Sequence, residues 1–262
     1  MTGARMDTLA RLRGRIARLE AGDGAHDLRR VALGHDAADA VLQGGLATGA
    51  LHEVFAETCR QAAAATGFLC GLAARVAARR PLIWIRQDFA EREMGALSMS
   101  GLAELGLDPR RIVIVRAPDL DHALRTAADA LACDALSGVM LEVWGETQKL
   151  DLVASRKLTL AAQESGVTAL MLRIAATPEP STAETRWIVR TAPSLPSAPW
   201  MAWGAPRLDA ELIRNRHGQT GRWIMEWTPD ACRFNEPAAD PQLVAAAPAH
   251  RSHQAQPRRR SA

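Results

Sequence analysis

The chain has 262 residues, 48% of them hydrophobic, and a formal net charge of +3 from 32 basic and 29 acidic residues. That length and apolar fraction exclude a mostly disordered chain and fit one large domain or two small ones with a real core. No stretch approaches 18 uncharged apolar residues, the N-terminus has no apolar signal core, and Cys59, Cys70, Cys133 and Cys232 form no CxxC pair. A membrane span, a secretory signal, a disulfide framework and a cysteine zinc site are therefore not expected, and a reducing cytoplasmic setting is.

In residues 6–20, Leu9, Leu12, Ile16 and Leu19 recur at 3, 4, 3 spacing, with Arg11, Arg13, Arg15 and Arg18 on other faces. This predicts an amphipathic helix ended by Gly22 and Gly24, packed on its own domain or docked on a partner. A turn-rich GGLATG then leads into a predicted strand at Leu51–Ala56. An alanine-rich helix over 62–79 follows, then strands at Leu82–Gln87 and 111–117. Next come a helix over 119–133 with Asp119 near its N-cap, a strand at Gly138–Trp144, a helix over 151–164 stopped by Gly166, and a strand over 167–174. Strand–helix alternation of this kind implies an α/β fold: a mostly parallel twisted sheet flanked by helices.

After residue 175 the rhythm changes. A Pro-rich break precedes a strand over 185–191, then a Pro-punctuated loop over 192–206. The runs 207–216 and 221–227 alternate apolar and polar residues, and His217 and Gly218 supply a turn, predicting a C-terminal antiparallel hairpin. Residues 235–262, rich in Pro, Ala and Arg, lack an apolar pattern and are expected to be disordered. The expected organisation is a basic helix and linker over 1–30, a core over 31–234 and the tail over 235–262.

The charge is uneven. Only Lys149 and Lys157 are lysines; every other basic residue is arginine. Residues 1–30 are net +3, 185–227 net +3 and 235–262 net +2, around an acidic middle. Genomic codon bias explains such an arginine excess, and so does binding of phosphates or carboxylates, which the guanidinium suits.

The glycine-rich approach, first strand and following helix resemble the entry to a RecA-type ATPase core. A working phosphate loop needs glycines for a backbone cradle, a lysine for the β- and γ-phosphates and a Ser or Thr for magnesium. Here Ala56 stands for the first glycine, and Gln61, Ala62 and Ala63 stand for the Gly, Lys and Ser/Thr. The Walker-B-like strand GVMLEVW carries Glu142, read as an acid at a sheet edge ahead of a magnesium role. No cofactor, metal site or catalytic residue is expected. His52-Glu53 is not part of an HExxH motif, no histidines have metal-ligand spacing, and His52 reads as a satisfied structural histidine.

The GGLATG–HEVF entry, the ATGF segment in place of the phosphate loop, LAAQESGVTALMLR, TRWIVRTAPS and ELIRNRHGQTGRWIMEW together are similar to the ImuA family. The resemblance implies a RecA-like, SulA-like core with a degenerate phosphate loop. It also implies a bacterial, SOS-induced accessory role in DNA repair by translesion synthesis and mutagenesis. Its implied partners are the Y-family-like protein ImuB and, indirectly, an error-prone DnaE-type polymerase, with RecA or single-stranded DNA also in view. Candidate contacts are Leu9, Leu12, Ile16 and Leu19, together with Trp200 and Trp203 between Arg190 and Arg207, where aromatics and arginine suit single-stranded DNA or a protein partner. The alternatives are a DNA-binding RecA-like ATPase or recombinase paralogue, and a SulA-like inhibitor of cell division.

Overall fold

Strands that read as mostly apolar runs are those covered on both faces, and four such runs lie at the centre of one sheet. The computed structural model describes residues 29–77, 80–194 and 204–237. The helix predicted over 6–20, Trp200, Trp203 and the tail beyond 237 lie outside the described residues.

In chain order the elements are β1 (Arg30–Val31), α1 (Asp36–Val41), β2 (Leu46–Ala47), β3 (Leu51–Ala56), α2 (Ala62–Val76), β4 (Leu82–Gln87), α3 (Asp88–Met94) and α4 (Met99–Glu104). They continue with β5 (Ile112–Ala117), α5 (Leu120–Leu131), β6 (Gly138–Trp144), α6 (Leu152–Ser165) and β7 (Thr168–Ile174). The last four are β8 (Thr185–Ala192), β9 (Arg207–Asn215), β10 (Gly221–Thr228) and β11 (Arg233–Asn235). The main sheet has nine strands in the order β11-β10-β9-β8-β3-β7-β6-β4-β5. From β8 to β5 every pairing is parallel; β8 then turns the direction, pairing antiparallel with β9, and β10 and β11 continue that way. The fold is thus α/β, with a mostly parallel sheet flanked by helices and a C-terminal antiparallel hairpin.

Two cores result. On one face Phe68 and Leu69 of α2 meet Val54, Trp84, Met140, Leu172 and Trp187 of the sheet. On the other, Ala123 and Ala127 of α5 and Leu158 and Ala162 of α6 meet Ile85, Val139, Leu141 and Met171. Burying each large apolar side chain contributes about 1.5–3 kcal/mol. Tilted aromatic pairs run from Trp223 through Trp187, Phe68 and Phe234 to Trp227, with centroids 6.1, 5.2, 5.1 and 4.7 Å apart. They tie α2 to the antiparallel strands.

Local chemistry sets the helix ends. The Asp119 carboxylate accepts from His122 N at 2.9 Å and that of Asp151 from Ala154 N at 2.8 Å, each satisfying a donor left open in a first helical turn. Gly166 ends α6 in the left-handed region at φ 75°. The GGLATG motif is a turn that only glycine fits: Gly45 has φ 122°, and a Cβ there would lie 2.2 Å from the Val31 carbonyl oxygen.

Candidate functional site

The segment between β3 and α2 is where a strand–loop–helix phosphate site would sit. Ala56 is the last residue of β3, Cys59–Gln61 forms a 3-10 turn, and Ala62 and Ala63 open α2. No residue between Ala56 and Ala63 has positive φ. The backbone of this turn therefore does not adopt the alternating conformation that points successive N–H groups at an anion.

The turn's side chains are engaged with the sheet. The Gln61 carbonyl oxygen accepts from Thr191 N at 2.8 Å and Thr191 Oγ1 at 3.3 Å. Glu57 accepts from Arg190 Nη2 at 2.9 Å and Nε at 3.1 Å, and Arg190 Nη1 donates to Glu211 at 2.8 Å. The two carboxylates hold the Arg190 guanidinium above its usual range, with Glu211 acting most strongly. Arg207, its side chain 12% exposed, donates to Glu226 at 3.2 Å. Both arginines flanking the 192–206 loop thus already have carboxylate partners, and the structure does not leave them bare for phosphate.

Glu142 differs from the expectation of an acid at a sheet edge. Strand β6 lies between β7 and β4, well inside the sheet, and Glu142 is 1% exposed. Its two oxygens accept from Arg86 Nε at 2.8 Å and Nη2 at 3.2 Å, while Arg86 Nη1 donates to the Gly95 carbonyl at 3.2 Å. The carboxylate that resembles a magnesium ligand is occupied by a fork-shaped guanidinium. Among the described residues no group of three or more His, Cys, Asp or Glu side chains has the geometry to hold a metal ion.

A second buried charge cluster escaped the sequence reading. Glu53 accepts from Arg186 Nε at 2.7 Å and Ser181 Oγ at 2.9 Å; Arg186 and Arg173 lie over the Phe55 ring at 5.8 and 5.5 Å. Burial pushes the Arg173 guanidinium below its ordinary range. The available signal was the pattern itself, charged residues embedded in otherwise apolar strand runs: HEV, WIRQ, LEV, LRI and TRWI.

Beside the turn, an apolar cleft of about 510 Å³ opens between α2 and the ends of β8 and β9, lined by Ala63, Gly67, Met94, Leu208 and Trp227. It adjoins Ser194 and Pro206, where the Pro-punctuated loop joins the sheet. His52 plays the structural part its sequence context suggested. It is fully buried, with Nε2 2.8 Å from the Ala47 carbonyl and Nδ1 2.8 Å from Thr185 Oγ1. Burial holds its pKa down at about 4.

Fold and site together define an open α/β protein whose first crossover is filled by its own side chains. No protein-family model matches the sequence. The chain is 29% identical over 197 residues to Protein ImuA of Caulobacter vibrioides, in strains NA1000 / CB15N and ATCC 19089 / CIP 103742 / CB 15, spanning 70% of this chain and 77% of the relative. The chain is thus similar to ImuA proteins over about two thirds of its length. No helix among the described residues is long and apolar enough to cross a membrane.

Proposed function

We propose that this chain is a non-catalytic accessory protein of damage-inducible mutagenesis, working by binding other proteins of the translesion machinery. The observation that carries the reading is the first crossover: Ala62 and Ala63 replace the phosphate-loop Lys and Ser/Thr, and Gln61 and Glu57 are committed to Thr191 and Arg190. The Arg86–Glu142 pair supports it further, since a carboxylate held by a guanidinium is poorly placed to take magnesium. The partner expected from the family resemblance is a Y-family-like protein of the ImuB type, with the error-prone DnaE-type polymerase reached through it. The helix predicted over 6–20 and the C-terminal hairpin with the tail over 235–262 are the proposed partner contacts. The adjoining apolar cleft suits the buried aromatic anchors that dominate protein interfaces.

The test is co-purification of the full chain with an ImuB-type partner from damaged cells, alongside chains lacking residues 1–28, residues 238–262, or both. Loss of the partner on deletion is expected; full retention by the double deletion rejects the helix and the tail as contact elements. Calorimetry with ATP and magnesium is expected to show no binding, and micromolar binding would overturn the non-catalytic reading in favour of the ATPase alternative.

A further inference from the structure

The opposite end of the sheet, where the parallel strands begin, carries a different chemistry. A cleft of about 510 Å³ is formed there by the first residues of the described chain, the end of α2 and the starts of β6 and β7. Arg29, Arg75 and Arg80 line it together with Thr48, Ser137 and Thr168, and no acid is among its described lining residues. Arg80 also lines a neighbouring cleft of about 220 Å³, which adds Arg111 and one acid, Asp108. The basic surface is therefore continuous across two concavities.

The one acid among the described lining residues of the two clefts is engaged. Asp108 meets Arg110 at 3.2 Å and Arg111 at 3.6 Å, two guanidinium groups against one carboxylate. Arg80 Nη1 donates to the Asp134 backbone carbonyl at 2.7 Å, and Arg75 donates to the carbonyls of Ala32 and Cys232 at 2.6 and 2.9 Å. These bonds to neutral acceptors anchor the guanidinium groups without cancelling their charge. The side chain of Arg29 is exposed, and its described hydrogen bonds run through its backbone carbonyl, which accepts from Thr48 N at 2.8 Å and Oγ1 at 2.9 Å. The described chain begins at Arg29, which itself lines this cleft.

From this we infer that the strand-start end of the sheet, around Arg29, Arg75, Arg80 and Arg111, binds the sugar–phosphate backbone of a nucleic acid. The clefts are concave and arginine-lined, and their one acid is outnumbered by the guanidinium groups beside it, which is how proteins gather phosphates from a strand. No aromatic side chain lines either cleft among the described residues, so bases have no stacking platform and recognition is independent of sequence. The site lies at the other end of the sheet from Arg190 and Arg207 and owes nothing to the Pro-punctuated loop.

The experiment is fluorescence anisotropy of the full chain with a labelled 20-nucleotide single strand, and with the matching duplex, across a salt series. Arg29→Gln combined with Arg80→Gln is expected to weaken binding about tenfold or more. It should also make the slope of log affinity against log salt shallower by about 1.4 for the single strand, at about 0.7 for each phosphate no longer neutralised. Arg116→Gln, at the far end of β5, is the control expected to change neither. A circular dichroism melt checks the double variant, and should it unfold, Arg29→Gln alone carries the test with a slope change of about 0.7. Absence of binding by the unaltered chain at low salt overturns the inference, as does a slope unaltered in the folded variant.

Discussion

Arg86 and Glu142, on the adjacent strands β4 and β6, meet in a two-point ion pair at 2.8 and 3.2 Å, with their side chains only 4% and 2% exposed. Such a pair is held together by the cost of leaving either charge alone in a dry interior. Glu142→Gln, which leaves the guanidinium buried without a counter-charge, is expected to lower stability by about 3–5 kcal/mol. Replacing both residues with apolar ones (Arg86→Met with Glu142→Leu) should recover most of that loss, because the desolvation cost disappears with the charges. Urea unfolding midpoints measure both effects, and a single variant as stable as the parent would show that the pair is not confined as described.

His52 gives the fold a defined acid sensitivity. Its imidazole stays neutral in the native state down to about pH 4, whereas the unfolded chain takes up the proton near 6.5. Below 6.5 the unfolded state binds more protons, so this contribution to stability is complete above pH 6.5 and is lost as pH falls from 6.5 towards 4. The size is about 3 kcal/mol over that window. His52→Gln should flatten the fall in thermal midpoint between pH 7 and 4.5 relative to the parent; parallel curves for the two chains would refute the assignment.

The four cysteines should separate by reactivity. Cys59 and Cys133 are exposed, whereas Cys70 is sealed inside α2 and burial pushes its thiol up to about 12. Since the thiolate is the reactive form, a maleimide at pH 7.5 is expected to modify Cys59 and Cys133 in the native chain and Cys70 only after denaturation. Peptide mapping by mass spectrometry reads the order directly.

Gly71 breaks the usual rule for a glycine in mid-helix. Alanine there favours the helix by about 1 kcal/mol in an isolated peptide. In this fold a Cβ would stand 2.3 Å from Cζ of Phe234, a fully buried ring that also packs against Phe68 and Trp227. Gly71→Ala is therefore expected to destabilise by about 1–3 kcal/mol, and Gly71→Ala with Phe234→Leu to regain part of it. A thermal melt in which Gly71→Ala is stabilising would contradict the close approach.

The central sheet was legible because parallel strands buried on both faces are apolar along most of their length. Leu51–Ala56, Leu82–Gln87 and Gly138–Trp144 have the boundaries the sequence suggests, and Asp119 and Gly166 mark helix ends by cap chemistry. The short elements were not legible. α1, α3 and α4 have six or seven residues, too few for periodicity to emerge. The helix predicted over 62–79 ends at Val76, since alanine propensity continues past the last turn that packs. The empty phosphate motif was readable letter by letter. The partners that fill the turn were not, because Thr191 and Arg190 lie 130 and 133 residues from Gln61 and Glu57. The interior position of Glu142 likewise depends on strand order, which local sequence does not encode.

Strand β11 returns the chain to the first part of the described fold: Phe234 N donates to the Leu33 carbonyl at 3.0 Å, and Arg75 holds the carbonyls of Ala32 and Cys232 together. Leu33 and Phe234 are thus neighbours, although some 200 residues separate them along the chain. Proximity of this kind is what circular permutation exploits. A chain joined from 237 to 29 through a Gly-Ser linker and reopened in the exposed turn at His217 and Gly218 is expected to keep every strand pairing, since only the β9–β10 turn is cut. Cutting after β8 instead would free the direction-reversing half of the sheet from the parallel half, so the permuted pair would report which half folds first.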